Sequence, residues 1–224
     1  MFLPAIRSKE DIIRLVDELG FLPYFKGEIS GFSIEENCPC LWGSPEDPSS
    51  PWEWKGPIIR ENGCAYGKFY RGKAMYVSRD WFLDFANYRR DGYDYDARVD
   101  DGKARGRDRR IMEILSERSP LRSKELKTLC CLSEGSRKSF DASITFLQMQ
   151  GYLLISDFLY ETDRLGRPYG WGLAQYATPE QHFGAFFSTQ VYAREPAESA
   201  ERLRRHLRRL LPQASEAQIA RLIG

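Results

Sequence analysis

Histidine is nearly absent from this 224-residue chain; only His182 and His206 occur. Neither has a matching nucleophile or metal-ligating partner in the sequence, which leaves histidine-based hydrolysis and zinc chemistry without a clear site. Cysteine is scarce too. Cys38, Cys40, Cys64, Cys130 and Cys131 form an odd set without framework spacing. Cys38-Pro39-Cys40 with Cys64 offers three thiolates, and a structural zinc site wants four ligands. Reduced thiols, with no metal and no cofactor, are expected. No apolar run approaches the roughly 20 residues that span a bilayer. The opening MFLPAIRSKEDII turns charged too early for a secretory signal. A cytoplasmic protein with no membrane partner is expected. An excess of one charge is also missing: 33 Lys and Arg face 32 Asp and Glu, a net charge of +1. Any case for nucleic acid must rest on local clusters.

The composition is that of an ordinary globular protein, 42 % hydrophobic and 29 % charged, in a chain long enough for one large core or two small ones. Ser8 caps a predicted helix that runs to Leu19, with Ile12, Ile13, Val16 and Leu19 on one stripe and Gly20 at its end. The prolines at 39, 45, 48, 51 and 57 predict a loop-like stretch over 37–57, which carries Trp42, Trp52 and Trp54. Aromatic, alternating runs on either side of Arg71-Gly72 predict a hairpin within Cys64 to Ser78. Arg79 to Arg90 reads as a helix with Trp81, Phe82, Phe85 and Tyr88 on one side. Polar, glycine-containing residues 91–106 suggest a domain boundary.

From Arg107 the pattern sharpens. Asp108 to Arg118 is a predicted helix with Ile111, Ile114 and Leu115 inward. Lys124 to Leu132 is a second, capped by Ser123, and Glu134-Gly135-Ser136 is a turn. A third helix runs from Ser136 to about Leu147. Strands follow at Tyr152 to Tyr160 and Trp171 to Ala177, around the turn-rich residues 161–170. Three helices and a two-stranded wing is the order of a winged helix-turn-helix. A helix from Pro196 to about Leu211, with Leu203, Leu207 and Leu210 as its buried row, precedes a short one capped by Ser215. The expected class is α+β. It comprises an N-terminal mixed α/β region (helix, hairpin, helix; 1–100), a winged-helix domain (101–180) and a C-terminal helical extension (181–224).

At about 100° per residue, Phe140, Ile144 and Leu147 face the core side of the third helix. Lys138, Ala142 and Thr145 lie opposite, flanked by Arg137 and Asp141. The exposed face thus begins with Ser136, Arg137 and Lys138, at the end of a recognition helix that meets bases and phosphates. Arg164 and Arg167 add charge at the wing tip, and Lys103, Arg105, Arg107, Arg109 and Arg110 form a basic run upstream. Ser136, Arg137, Lys138, Arg164 and Arg167 are therefore the expected DNA-binding residues, with double-stranded DNA as the partner. The alternative is a solvated surface on a winged-helix module that binds protein.

The stretches LVDELGFLPYF, YGKFYRGKAMYVSRDWF and YGWGLAQYATPE, together with the winged-helix pattern, resemble the AlkZ-related proteins over nearly the whole chain. These are relatives of the AlkZ-type winged-helix DNA glycosylases, to which the resemblance is looser. It implies winged-helix units around a DNA-binding groove and, for the glycosylases, removal of alkylated bases by cutting the N-glycosidic bond. Their active motif is glutamine, an apolar residue, then glutamine or aspartate, after a Leu-Gly-x-Leu stretch. Here Leu19-Gly20-Phe21-Leu22 is followed by Pro23, Tyr24 and Phe25, and no glutamine precedes Gln148. The expectation is a non-catalytic DNA-binding protein, damage-related or regulatory, with an active glycosylase using a relocated site as the alternative.

Gln148-Met149-Gln150 is one candidate for such a site. The two amides share a side if the segment is extended and point about 160° apart if it is helical. Otherwise they are two polar residues framing a helix end. Glu53, between Trp52 and Trp54, is another candidate, as are Asp80 and Asp84, four apart on one helix face. A carboxyl beside indole rings can have a raised pKa and serve as acid or base. The competing reading puts the tryptophans in the core and the acids in water. His206, within Arg204-Arg205-His206, is expected on an exposed helix surface.

Overall fold

The structure is a computed structural model that describes residues 3–40, 50–130 and 137–224, the side chains of Arg137 and Lys138 excepted. Expectations for Trp42, Cys131 and the 134–136 turn fall outside the described residues.

Helix α1 (Lys9–Leu19) starts at Ser8, whose side chain accepts the Asp11 N–H, and ends at Gly20 in the left-handed region at φ 78°. Strand β1 (Phe21–Pro23) follows, then a short helix α2 (Ile34–Asn37). The hairpin of β2 (Ala65–Tyr70) and β3 (Lys73–Val77) forms as expected. Its two-residue turn has Arg71 at φ 52° and Gly72 at φ 75°, the positive pair that this tight connection demands. An antiparallel sheet of order β1-β3-β2 results.

Helix α3 (Pro51–Asn62) corrects the loop expected over 37–57. Pro51 sits at the first turn, where a missing N–H loses no intrahelical bond. Pro57 lies inside the helix, which ordinarily costs about 3 kcal/mol. Burial of Trp54, Ile58 and Ile59 offsets that. Helix α4 (Arg79–Arg90) has the predicted bounds. A second difference is α5 (Tyr95–Asp100), a short helix in the stretch read as a polar boundary; the Asp94 side chain caps it by accepting the Ala97 N–H at 2.7 Å.

Helix α6 (Gly106–Arg118), strand β4 (Leu121–Arg122), helices α7 (Ser123–Cys130) and α8 (Arg137–Met149), and strands β5 (Leu154–Thr162) and β6 (Pro168–Ala177) come next. The strands make an antiparallel sheet of order β4-β6-β5. Ile111, Leu115, Leu121, Leu126, Phe140, Ile144 and Leu147 form one buried cluster under it. Gly151 turns the chain between α8 and β5 at φ 75°.

The chain continues through α9 (Pro179–Phe183), α10 (Ala185–Gln190), α11 (Pro196–Leu210) and α12 (Glu216–Ile223). Leu203, Leu207, Ile219 and Leu222 join the same apolar cluster as α1, the hairpin and α4. Leu210 is half-buried. Helix α11 lies on α4 through Asp84, which is 3 % exposed and accepts from Ser199 at 2.9 Å and Arg202 at 3.0 Å. Asp80 is exposed, so Asp84 departs from the expectation that these acids face water. His206 departs from it too. It is 7 % exposed, stacks on Trp81 at 3.9 Å and bonds the Leu19 carbonyl at 2.8 Å. The face of α11 turned to α4 takes His206 inward while Arg205 stays in water.

Candidate nucleic-acid interface

Arg137 and Lys138 open α8; their side chains, and all of Ser136, lie outside the described residues. Along the face that follows, Asp141 and Ala142 are exposed. Asp141 faces Lys127 at 3.5 Å. The trailing half of α8 is covered by the hairpin. Thr145 meets Lys68 Nζ at 3.3 Å, and the fully buried Gln148 accepts the Lys68 N–H through Oε1 at 2.7 Å. So β2 closes the far end of this face, while Asp141 and Ala142 nearer its start stay in solvent.

At the ribbon tip between β5 and β6, Asp163 Oδ1 accepts the N–H groups of Leu165 at 2.8 Å and Arg167 at 2.9 Å. The Arg167 N–H and then that of Leu165 hold the Asp163 carboxyl below its ordinary pKa. The Arg167 side chain is tied back to Asp163 at 2.9 Å while remaining exposed. Arg164 is exposed and has no ion-pair partner among the described residues. Leu165, Tyr169 and Trp171 place large apolar groups in solvent beside these cations. Of the upstream run, Arg109 and Arg110 share Glu113 at 2.8 and 3.8 Å. Arg105 instead sits over the Phe146 ring of α8 at 4.1 Å, and Arg107 is exposed.

The structure does not bring the three catalytic candidates together. Helix α8 extends through Met149, and the Gln150 N–H still bonds the Phe146 carbonyl at 2.9 Å. The two amides therefore take the helical arrangement and diverge. Gln148 is committed to Lys68, and its Nε2 has no hydrogen-bond partner among the described residues. Glu53 sits on α3, where the Tyr160 hydroxyl of β5 donates to it. Burial, then the nearby Glu53, pushes the Tyr160 phenol up.

Pro23 and Phe25 stand where the resemblance would put the two polar residues of the motif, and Tyr24, at its apolar middle position, is fully buried. The rings of Phe25, Trp52, Tyr66 and Tyr76 lie 5.1, 5.5, 6.2 and 6.4 Å from its own. Burial pushes its phenol far above the ordinary value.

One group escaped the sequence reading. Lys55, one helical turn after Trp52, holds its Nζ 4.2 Å from the Trp52 ring and 4.3 Å from that of Phe158. Burial brings its pKa down to about 8, against the opposing pull of Glu53. The proline density of 37–57 hid the helical spacing that pairs Trp52 with Lys55.

A cleft of about 470 Å³ beside α5 and α6 is lined by Asp94, Asp96, Glu113 and Glu180, with Arg109. Its charge is the wrong sign for phosphate. Among the described residues no group of three or more His, Cys, Asp or Glu is placed to hold a metal ion, and no helix is long and apolar enough to cross a membrane.

No curated protein matches the chain. Among solved structures, the DNA glycosylase AlkZ of Streptomyces sahachiroi is similar to it at 14 % identity and a TM-score of 0.49, over 98 % of this chain and 60 % of that one. This chain thus spans less than two thirds of that protein's length. The family model described as AlkZ related matches residues 6–224, and the chain belongs to the AlkZ-related family.

Proposed function

We propose that this chain is a winged-helix protein that binds double-stranded DNA, in damage handling or regulation, without cutting a bond itself. Support comes from the order α6-β4-α7-α8-β5-β6 and its β4-β6-β5 sheet, the arrangement in which a recognition helix lies beside a wing. The observation that carries most weight is the exposure of Asp141 and Ala142 on the first half of α8, while the hairpin covers the other end. Arg137 and Lys138 are the first residues of α8, and Arg164 and Arg167 lie at the ribbon tip. Base excision is disfavoured by Pro23 and Phe25 in place of the motif's polar residues and by the engagement of Gln148 with Lys68.

The test is a shift assay on alkylated and unmodified duplexes, with free base measured in parallel. If about five cations meet phosphates, the log–log salt slope is near −4 to −5. The double variant Arg137→Ala/Lys138→Ala weakens duplex binding about tenfold or more. Release of free base would establish the rival, an active glycosylase with a relocated site. Absence of duplex binding at low salt would favour a protein-interaction module.

A further inference from the structure

The α3–β5 seam holds a reactive set that DNA binding alone leaves unused. Lys55 Nζ lies against two rings, Trp52 at 4.2 Å and Phe158 at 4.3 Å. Contact with the rings favours the ammonium, withdrawal from water favours the neutral amine, and for Lys55 the withdrawal prevails. Among the described residues, no carboxylate lies within salt-bridge distance of Nζ. The charged groups packed around it are engaged elsewhere: Glu53 takes the Tyr160 hydroxyl, and Asp157 takes Arg60. Lys55 remains only half-buried, so a small electrophile can reach it. The exposed Trp171 lies edge-on to Trp52 at 6.4 Å and offers a stacking face at the mouth of the seam.

We propose that Lys55 captures an aldehyde covalently, and that the aldehyde is the ring-opened sugar of an abasic site in DNA. The abasic assignment rests on the DNA-binding reading; the reactivity of Lys55 does not. A desolvated lysine held among rings is a recognised form of activated amine nucleophile. With its pKa brought down to about 8, roughly half of the Lys55 amine is neutral at pH 8, against under about 1 % of an ordinary lysine. The neutral Nζ attacks the carbonyl carbon, and the carbonyl oxygen takes up the proton that the amine releases. The resulting carbinolamine gains one proton from solvent and loses water. An iminium then joins Nζ to the former carbonyl carbon. No oxidant or metal is required. Glu53 and the Tyr160 hydroxyl form a hydrogen-bonded acid–base pair on the same seam.

The experiment treats the full chain at pH 8 with propionaldehyde and cyanoborohydride, then maps the secondary amine by peptide mass spectrometry. Lys55 is expected to label at least about tenfold faster than the exposed lysines Lys103 and Lys124, and Lys55→Arg removes that fast phase. Labelling spread evenly over surface lysines would overturn the proposal whatever the protein does with DNA. In a second arm, an abasic duplex is incubated with borohydride. A trapped covalent complex that Lys55→Arg abolishes supports the assignment. A duplex that shifts but does not cross-link overturns the aldehyde role and leaves DNA binding standing. Capture of propionaldehyde by a protein that neither shifts nor cross-links the duplex overturns the abasic assignment together with the DNA reading.

Discussion

Gln148 attracted attention as a polar residue in a catalytic-looking triplet, and its surroundings give it a structural task. Its Oε1 satisfies the Lys68 N–H across 80 residues of sequence. Replacing it with methionine keeps the volume and leaves that part-buried donor unpaired, at a cost of about 1 kcal/mol or more. Urea unfolding measures this, and duplex affinity below the transition is expected to stay within about twofold. His206 makes a different prediction. Its Nε2–H donates to the Leu19 carbonyl, and Nδ1 faces Arg209 at 3.4 Å. Burial, helped by the Arg209 charge, lowers its pKa despite the Leu19 bond, and burial lowers that of His182 as well. The unfolded chain therefore takes up protons first as pH falls. This share of stability is complete above about pH 6.5 and is lost below it, down through the folded-state value. The melting temperature is expected to fall between pH 7 and 5.5, and to fall less in His206→Gln. Neither environment was legible beforehand: the flanking Arg204 and Arg205 pointed to a wet surface, and only α4 lying against α11 reverses that.

Elements announced by a cap and a single apolar period were readable from the residues. Ser8 and Gly20 bracket α1, the Arg71-Gly72 turn closes the hairpin, and Ser215 opens α12 with a full capping box. Helices α3 and α5 were hidden because proline and polar composition outweigh periodicity in a local reading, whereas tertiary burial and the Asp94 cap decide the outcome. The junction from α8 to β5 was visible as a lone glycine, but its physical demand was not. A Cβ on Gly151 would meet Ala86 Cα at 3.2 Å, and its φ of 75° is unfavourable for any other residue. Gly151→Ala is expected to destabilise the chain by about 1–3 kcal/mol. The fully buried Arg90 clamps the same junction: Nη2 donates to the Gly151 carbonyl at 2.7 Å, and Nη1 to Glu180 at 2.6 Å and Tyr192 at 2.9 Å. Arg90→Met removes these bonds together with the one from Nε to the Gly151 carbonyl at 3.2 Å and leaves the carbonyl buried, so about 3 kcal/mol or more is expected from chemical denaturation.

A chain with a net charge of +1 binds a polyanion only if its cations are unevenly spread and free of internal partners. The ribbon tip separates those two conditions. Arg164 has no ion-pair partner among the described residues, while Arg167 is compensated by Asp163. Arg164→Ala is therefore expected to weaken duplex binding about fivefold, and Arg167→Ala less than about twofold, in fluorescence anisotropy at fixed salt. The surface was legible in the sequence as clustered basic residues; their pairing was not, because Glu113 and Asp163 neutralise neighbours only once helix and turn geometry are known. The bond from Gln148 to the Lys68 amide also makes that amide a natural sensor. It exchanges with deuterated solvent only when α8 lifts from β2, so a ligand gripping the start of α8 will register as altered protection at one identifiable proton far from the point of grip.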